Sequence, residues 1–570
     1  MPVFPALRRS LLILGAGWTG AASANDVASA AHAGSMSFVG GASAPAAEAT
    51  HAQPAPPRSE PVSTPAVTSD FSALHAFMRE STDARGYLGA VTLILRDGRI
   101  VDFQSYGQRD LARREPMRKD AIFRIYSMSK TIASAAVMLL VEQGRVRLDD
   151  PVSRYLPELA QRQVTTAGDG GKPALRPAAS EITVRHLLTH TAGFAAGLKG
   201  DDAALAAMQR NDPHGASDLR GFVKRLSHAP LAADPGTRFG YDGAAIEVLA
   251  RMVEVVSGQP FDAFLRERIF QPLGMRDTGF EVPVAQRGRV VDITTMGDDG
   301  RLRIADGPSA REPGAALNAY PSGAGGLYST ACDYARFAQM LLDGGAIAGR
   351  LGDSACDDGL AAEQRALENS PQGEDARLPT HLQPSFSRRR ESRDFSAISQ
   401  VRHSRERGLR FSSAAAEHPA TSGLLARKAL DSRVRGNDEV RERRDLPVSH
   451  QHRRLLRAET VALMLSNQLT MLDPPVHQYN PNEGFGFGGS VVIDIGRDGR
   501  PGSLGRFGWP GAASTTYAID PAQHRVAIAL LQHLPRSDVK ADLPRISRDF
   551  YRLVDETMNQ RSTSNAKTTP

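Results

Sequence analysis

Ser127-Met128-Ser129-Lys130 places a hydroxyl and an amine three residues apart, and one helical turn brings that spacing onto a single face. The residues that follow, including Ile132, Ala133, Ala136, Val137, Leu139 and Leu140, are apolar on nearly every side. They predict a fully buried helix over Ser127 to Gln143, ended by Gly144. At a helix amino terminus the dipole favours an alkoxide, and burial disfavours a charged ammonium. Lys130 is therefore expected to accept the proton of Ser127 and make it a nucleophile. Other constellations are poorer. His186 and His190 have metal-ligand spacing, but Leu187 stands where a zinc protease needs its general-base Glu. The pair reads instead as part of a structural turn before Gly193. The chain has no Gly-x-Ser-x-Gly elbow.

The elements that must position this pair are legible from periodicity. Leu88 to Leu95 reads as a strand, Arg96-Asp97-Gly98-Arg99 as a turn and Ile100 to Tyr106 as the returning strand. Helical signals follow at Val184–Leu188, Ala244–Val256 and Tyr334–Leu342, and strand signals at Gly489–Ile495, Ala513–Ile519 and Val526–Leu531. Strands at both ends with helices between them imply a sheet closed by distant segments.

Several ordered stretches surround the Ser–Lys pair. They are Leu148-Asp149-Asp150-Pro151-Val152, Ile182 to Gly193, Pro235-Gly-Thr-Arg-Phe-Gly-Tyr241, Pro272-Leu-Gly-Met275 and Gly323-Ala-Gly-Gly-Leu-Tyr-Ser-Thr330. Together they resemble the class C β-lactamase-like serine hydrolases, with β-lactamases, D-amino-acid peptidases and family VIII carboxylesterases among them, over about Phe71–Gly349 and Arg454–Leu534. The resemblance implies an α/β fold of the α+β kind, β-lactamase/transpeptidase-like: a mainly antiparallel sheet flanked by helices, plus a helical region, with the active site between them.

In that family a Tyr followed two residues later by Asn supplies a phenol and a substrate-binding amide; here the stretch is Tyr241-Asp242-Gly243. Tyr241 can relay a proton, but Gly243 offers no side-chain amide, which argues against β-lactam or peptide substrates. The third family motif, on a strand at the site, is cationic in β-lactamases and often Trp-Gly-Gly in the esterases. Phe507-Gly508-Trp509-Pro510-Gly511-Ala512 resembles the second form. Trp509 in place of a cation suits an apolar acyl or alcohol group. Gly511 would let substrate approach the strand, and the backbone N–H groups of Ser127 and Ala512 would form the oxyanion hole.

Composition sets the context. The 570 residues are 41% hydrophobic, enough for a large core. The net charge of +6 is spread along the chain without a basic stripe, which excludes a nucleic-acid partner. The two cysteines, Cys332 and Cys356, offer no disulfide framework and no metal cluster. Arg8 and Arg9, the apolar run Leu11 to Trp18 and the small residues Ala22-Ser23-Ala24 have the layout of a cleavable signal over residues 1–24, and no later segment reads as a membrane span. A periplasmic or secreted product is expected.

Residues 25–70 form an Ala/Ser/Pro-rich linker, and 546–570 a tail. The hydrolase domain should therefore comprise 71–350 and 454–545. Between them, residues 351–453 lose all periodicity. Pro384–Ser392, His403–Gly408 and Asp431–Asp438 within that stretch resemble translated bacterial intergenic repeats, and an unstructured insertion is expected.

The reading is a cofactor-free serine hydrolase that takes a small-molecule ester or amide and forms an acyl-enzyme, with carboxylic esters preferred. Its rivals are a β-lactamase or D-amino-acid peptidase using the same nucleophile and a catalytically silent cell-wall-binding homologue. Oligomeric state is not legible.

Overall fold

The computed structural model describes residues 69–559 apart from 84–85, 169–171, 196–201, 348–355, 357–359, 362, 364–453, 472–481, 497–501 and 540–541. The expected signal, the linker up to residue 68 and the three repeat-like pieces lie outside the described residues.

The first hairpin is Gly89–Arg96 (β1) and Arg99–Gly107 (β2). Asp97 and Gly98 both adopt positive φ, +50° and +72°, the requirement of a two-residue turn matched to strand twist. Five strands from the far end of the chain complete the sheet: Glu483–Phe485 (β3), Ser490–Val492 (β4), Phe507–Gly508 (β5), Thr516–Asp520 (β6) and Arg525–Leu530 (β7). Their order is β2-β1-β7-β6-β5-β4-β3, and every pairing is antiparallel. The sheet therefore closes through β1 against β7, with Val91 opposite Leu530.

Alternation on β1 builds two cores. Val91, Leu93 and Leu95 join the main core with Ile132, Ala136 and Leu140 of helix Ser129–Glu142. Ala90 and Ile94 point the other way, into a cluster with Leu74 and Met78 of helix Ser72–Ser81 and with Phe550, Val554 and Met558 of helix Ser547–Asn559. In chain order the helices used below are α1 (Ser72–Ser81), α2 (Ser129–Glu142), α3 (Val184–Leu188), α4 (Ala244–Ser257), α5 (Ala331–Leu342) and α6 (Ser547–Asn559).

The structure corrects three expectations. The carboxy-terminal stretch 546–570 is not simply a tail, because α6 buries one apolar stripe over the sheet. Cys332 and Cys356 form a disulfide, and both are buried. The segment expected to be inserted over 351–453 therefore begins too early: Cys356 is part of the core, and the Glu363 carboxylate accepts hydrogen bonds from Lys119 N–H (3.0 Å) and Ser105 Oγ (3.2 Å). A pairing 24 residues apart leaves no periodic trace in sequence. On the far side of the gap, Leu455 N–H donates to the Gly345 carbonyl at 2.8 Å, so the chain leaves and returns at adjacent points.

Candidate active site

The segment that carries Ser127 is held from both chain ends. Phe123–Arg124 pairs antiparallel with Tyr328–Ser329. The fully buried Arg124 guanidinium donates to the Val291 carbonyl (2.7 Å) and the Gln532 side chain (3.3 Å), while Gln532 Nε2 donates back to the Arg124 carbonyl (3.0 Å). Tyr126 then turns into the left-handed region at φ +43°, a conformation disfavoured for any residue with a Cβ. Packing against Ile293, Ala305 and Ala513 holds it there. Tyr126–Met128 is a 3₁₀ turn leading into α2, and Ser127 at its centre is partly exposed. Tyr334 Oη on α5 donates to the Met128 carbonyl at 3.1 Å.

Lys130, one turn on, is only 3% exposed. Its Nζ donates to Ser127 Oγ at 3.2 Å and to the Ala324 carbonyl at 2.7 Å. The amine also lies 4.9 Å from the centre of the Tyr241 ring, within range of a cation–π attraction. The Tyr241 hydroxyl accepts a hydrogen bond from Trp509 Nε1 at 2.9 Å. Tyr241 thus turns its ring face to the amine and its oxygen to the indole.

An aromatic cluster backs this arrangement. Trp509 lies 4.8 Å from Tyr241 and packs edge-on to Phe485 at 5.1 Å. His190 wedges against Tyr241 (4.8 Å) and Phe485 (5.2 Å). Burial holds the His190 imidazole well below its ordinary pKa, with Lys130 adding to the effect. Its Nδ1 accepts the Asp242 N–H at 3.4 Å. His186 forms a reciprocal cap with Thr183 at the start of α3. His186 thus serves a turn, as its sequence context suggests, whereas the His190 side chain packs in the aromatic cluster and holds the Asp242 N–H.

Two carboxylates lie within electrostatic reach of Lys130. Asp242 accepts the Ala245 N–H at 2.7 Å at the start of α4. Glu247, on the same helix, accepts Ser322 Oγ and the Gly323 N–H. Burial pushes both up to about 7, against the lowering effect of their hydrogen bonds and of Lys130.

Trp509 and Gly511-Ala512 lie not on a strand but in the turn that follows the two-residue β5. A Cβ on Gly511 would meet Thr515 Oγ1 at 2.1 Å and the Ile125 carbonyl at 2.5 Å. This glycine is therefore required by the close approach of the turn to the segment that carries Ser127, not simply by room for substrate. Ala512 packs against the cluster of Tyr126, Ile293, Ala305 and Ala513. Gly243 caps α4, and a Cβ there would touch Ala324 at an ordinary 3.4 Å, so sterics do not demand a glycine.

With this geometry in view, the beta-lactamase family model matches residues 74–387. The chain belongs to the beta-lactamase family. Esterase EstB of Burkholderia gladioli is 34% identical over 315 residues, covering 51% of this chain and 76% of that protein. Protein Rv1367c of Mycobacterium tuberculosis is 36% identical over 275 residues, covering 48% and 67%. In three dimensions the chain is similar to simvastatin synthase (LovD) from Aspergillus terreus, with a TM-score of 0.56 at 20% identity over 87% of this chain and 99% of that one. That last likeness shows the fold. The protein is a serine hydrolase of the beta-lactamase fold.

The structure brings Ser127, Lys130, Tyr241 and Trp509 into one contact network, although Trp509 is 382 positions from Ser127 in the numbering. Sequence reasoning missed Ala324, Asp242, Glu247, His190 and Phe485. Ala324 acts through a carbonyl, which no residue type reveals. Glu247 had a readable signal, an acid on the otherwise apolar side of α4 beside Ile246, Val248 and Leu249. Among the described residues no helix is long and apolar enough to cross a membrane.

Proposed function

We propose that this protein hydrolyses carboxylic esters through an acyl-enzyme on Ser127. The observation that carries the reading is the buried Lys130 amine on Ser127 Oγ at 3.2 Å, under a tyrosine whose oxygen is held by Trp509. Ser127 loses its proton to the Lys130–Tyr241 pair as Oγ attacks the ester carbonyl. The N–H groups of Ser127 and Ala512 receive the oxyanion. The carbon–oxygen bond to the alcohol breaks, the alcohol departs with the proton held by the pair, and water then attacks the acyl carbonyl to release the acid and restore Ser127.

The aromatic wall of Trp509, Phe485 and Tyr241 suits an apolar acyl or alcohol group, and Gly243 supplies no amide for a peptide or β-lactam. Intact mass spectrometry with short p-nitrophenyl esters should show one acyl adduct per chain, absent in Ser127→Ala. Turnover of a chromogenic cephalosporin without ester hydrolysis would overturn the preference.

Export is part of the same proposal. The signal-like residues 1–24 and the Cys332–Cys356 disulfide both fit an oxidising compartment. Amino-terminal sequencing of the exported protein should read from Asn25; a chain retained in the cytosol with Met1 intact would contradict it.

A further inference from the structure

The stretch Gly323 to Thr330 stands out in the sequence, yet the acyl-transfer chemistry above gives it no side-chain role. Its place in the fold gives it one. The segment enters between α4 and α2: a Cβ on Gly323 would lie 3.2 Å from Ala250 Cβ, 3.3 Å from the Ile246 carbonyl and 3.4 Å from Ala133 Cβ. The next residue turns its carbonyl onto Lys130 Nζ at 2.7 Å, closer than the 3.2 Å from that amine to Ser127 Oγ. The Ala324 carbonyl is therefore the firmer of the two anchors that aim the amine at the nucleophile.

What fixes that carbonyl is a single side chain. Glu247 is 1% exposed on α4, flanked by the buried apolar residues Ile246, Val248 and Leu249. A carboxylate in such surroundings is unfavourable unless donors converge on it. Here they do. Ser322 Oγ donates to Oε1, and the Gly323 N–H donates to Oε2 at 3.0 Å. The turn is closed by Gly326 N–H on the Ser322 carbonyl at 2.9 Å and joined to α2 by Leu327 N–H on Ser129 Oγ at 3.3 Å. Both donors on Glu247 belong to the two residues that lead into the Lys130 anchor. Glu247 also faces Lys130 electrostatically.

We propose that Glu247 is a positioning residue for the nucleophile: by gathering Ser322 and Gly323 around its carboxylate it fixes the adjoining Ala324 carbonyl that holds the Lys130 amine on Ser127. This rests on the reading of Ser127 and Lys130 as nucleophile and base. Glu247 touches neither reacting atom and acts through the Ser322–Ala324 turn. With glutamine the amide oxygen can still accept the Gly323 N–H, but the amide N–H turns Ser322 Oγ from donor to acceptor and the carboxylate charge is lost, so the turn is held less firmly, and misplacement on the ångström scale is enough to slow a reaction by orders of magnitude.

The test uses the full chain and p-nitrophenyl acetate. Glu247→Gln should lower kcat at least about tenfold with KM within about threefold, and should slow fluorophosphonate labelling of Ser127 in parallel, while thermal unfolding stays cooperative. Ser322→Ala, which removes one donor of two, should lower kcat by a smaller factor, about two- to fivefold. Glu247→Asp should recover part of the lost kcat. A folded Glu247→Gln with unchanged kcat and labelling rate overturns the proposal. Should that variant fail to fold, Ser322→Ala decides, and unchanged kcat there overturns it equally. Ser127→Ala separates the two levels: full ester turnover by that variant sinks the nucleophile itself, whereas an inactive Ser127→Ala beside a fully active Glu247→Gln sinks the positioning role alone.

Discussion

Trp509→Phe isolates one hydrogen bond at the site. Phenylalanine keeps an aromatic ring against Tyr241 and Phe485, at present 4.8 and 5.1 Å away between centres, and removes only the indole N–H that donates to Tyr241 Oη at 2.9 Å. If Tyr241 shares the proton of Ser127 during acylation, its oxygen gains negative charge in the transition state, and a donor aimed at that oxygen stabilises it. Hydrogen bonds to charged groups are worth roughly 1.5–3 kcal/mol. Trp509 is partly exposed, so water can replace some of the lost donation. The lower end therefore applies, a fall of about tenfold in kcat/KM at 1.36 kcal/mol per factor of ten. Steady-state hydrolysis of p-nitrophenyl butyrate measures it. In a Tyr241→Phe background, which lacks the receiving oxygen, the same substitution should have little further effect, so the double-mutant cycle should show coupling of about 1 kcal/mol or more. A folded Trp509→Phe enzyme within twofold of the parent, or equal losses in both backgrounds, would refute the reasoning.

Gly511→Ala places a methyl 2.1 Å from Thr515 Oγ1 and 2.5 Å from the Ile125 carbonyl, so Tm and kcat should fall together, with a stability loss of about 1–3 kcal/mol; an unchanged kcat would detach this turn from the nucleophile. Cys356→Ser opens a link between residues 24 apart and should destabilise by about 3 kcal/mol in denaturant titration. An unshifted midpoint would argue against the disulfide. Deleting 369–451 should leave fold and ester hydrolysis intact, because Leu455 already meets Gly345 and both Cys356 and Glu363 are retained. An insoluble product would contradict that. Glu247 is held near 7 in the folded chain against an ordinary 4.5. A folded value above the unfolded one means its contribution to stability is complete below about 4.5 and is lost as pH rises through about 7, roughly 3 kcal/mol at 1.36 kcal/mol per pH unit. Urea unfolding of Glu247→Gln should accordingly show a flatter decline between pH 5 and 8 than the parent, and parallel curves would refute the assignment.

Local order in the sequence was enough for the elements nearest the nucleophile. Alternation over β1, the Asp97-Gly98 turn, the apolar α2 and α3 each depend on neighbours within one or two turns of chain, and the observed bounds fall within a few residues of those expected. The motif order supplied the family and with it the sheet. Ser127, Lys130, Tyr241 and Trp509, which the structure brings into contact, could be named from sequence because each is a residue type with distinctive chemistry in a recognisable setting. Strands of two or three residues such as β3 and β5 carry too little periodicity to be read, and α6, polar on most of its surface, passed for a tail.

By itself, then, the sequence determined the family and the local elements, and named the residues on which the proposed chemistry rests. Tertiary structure alone decided what those residues touch. The Ala324 carbonyl on Lys130, the Glu247 carboxylate behind it, the indole N–H on Tyr241 and the Cys332–Cys356 link join positions that are distant along the chain. The physical reason is that hydrogen bonds and desolvation act through space: the orientation of a carbonyl or the burial of an acid is set by whatever packs against it, and no pattern of neighbours along the chain records that.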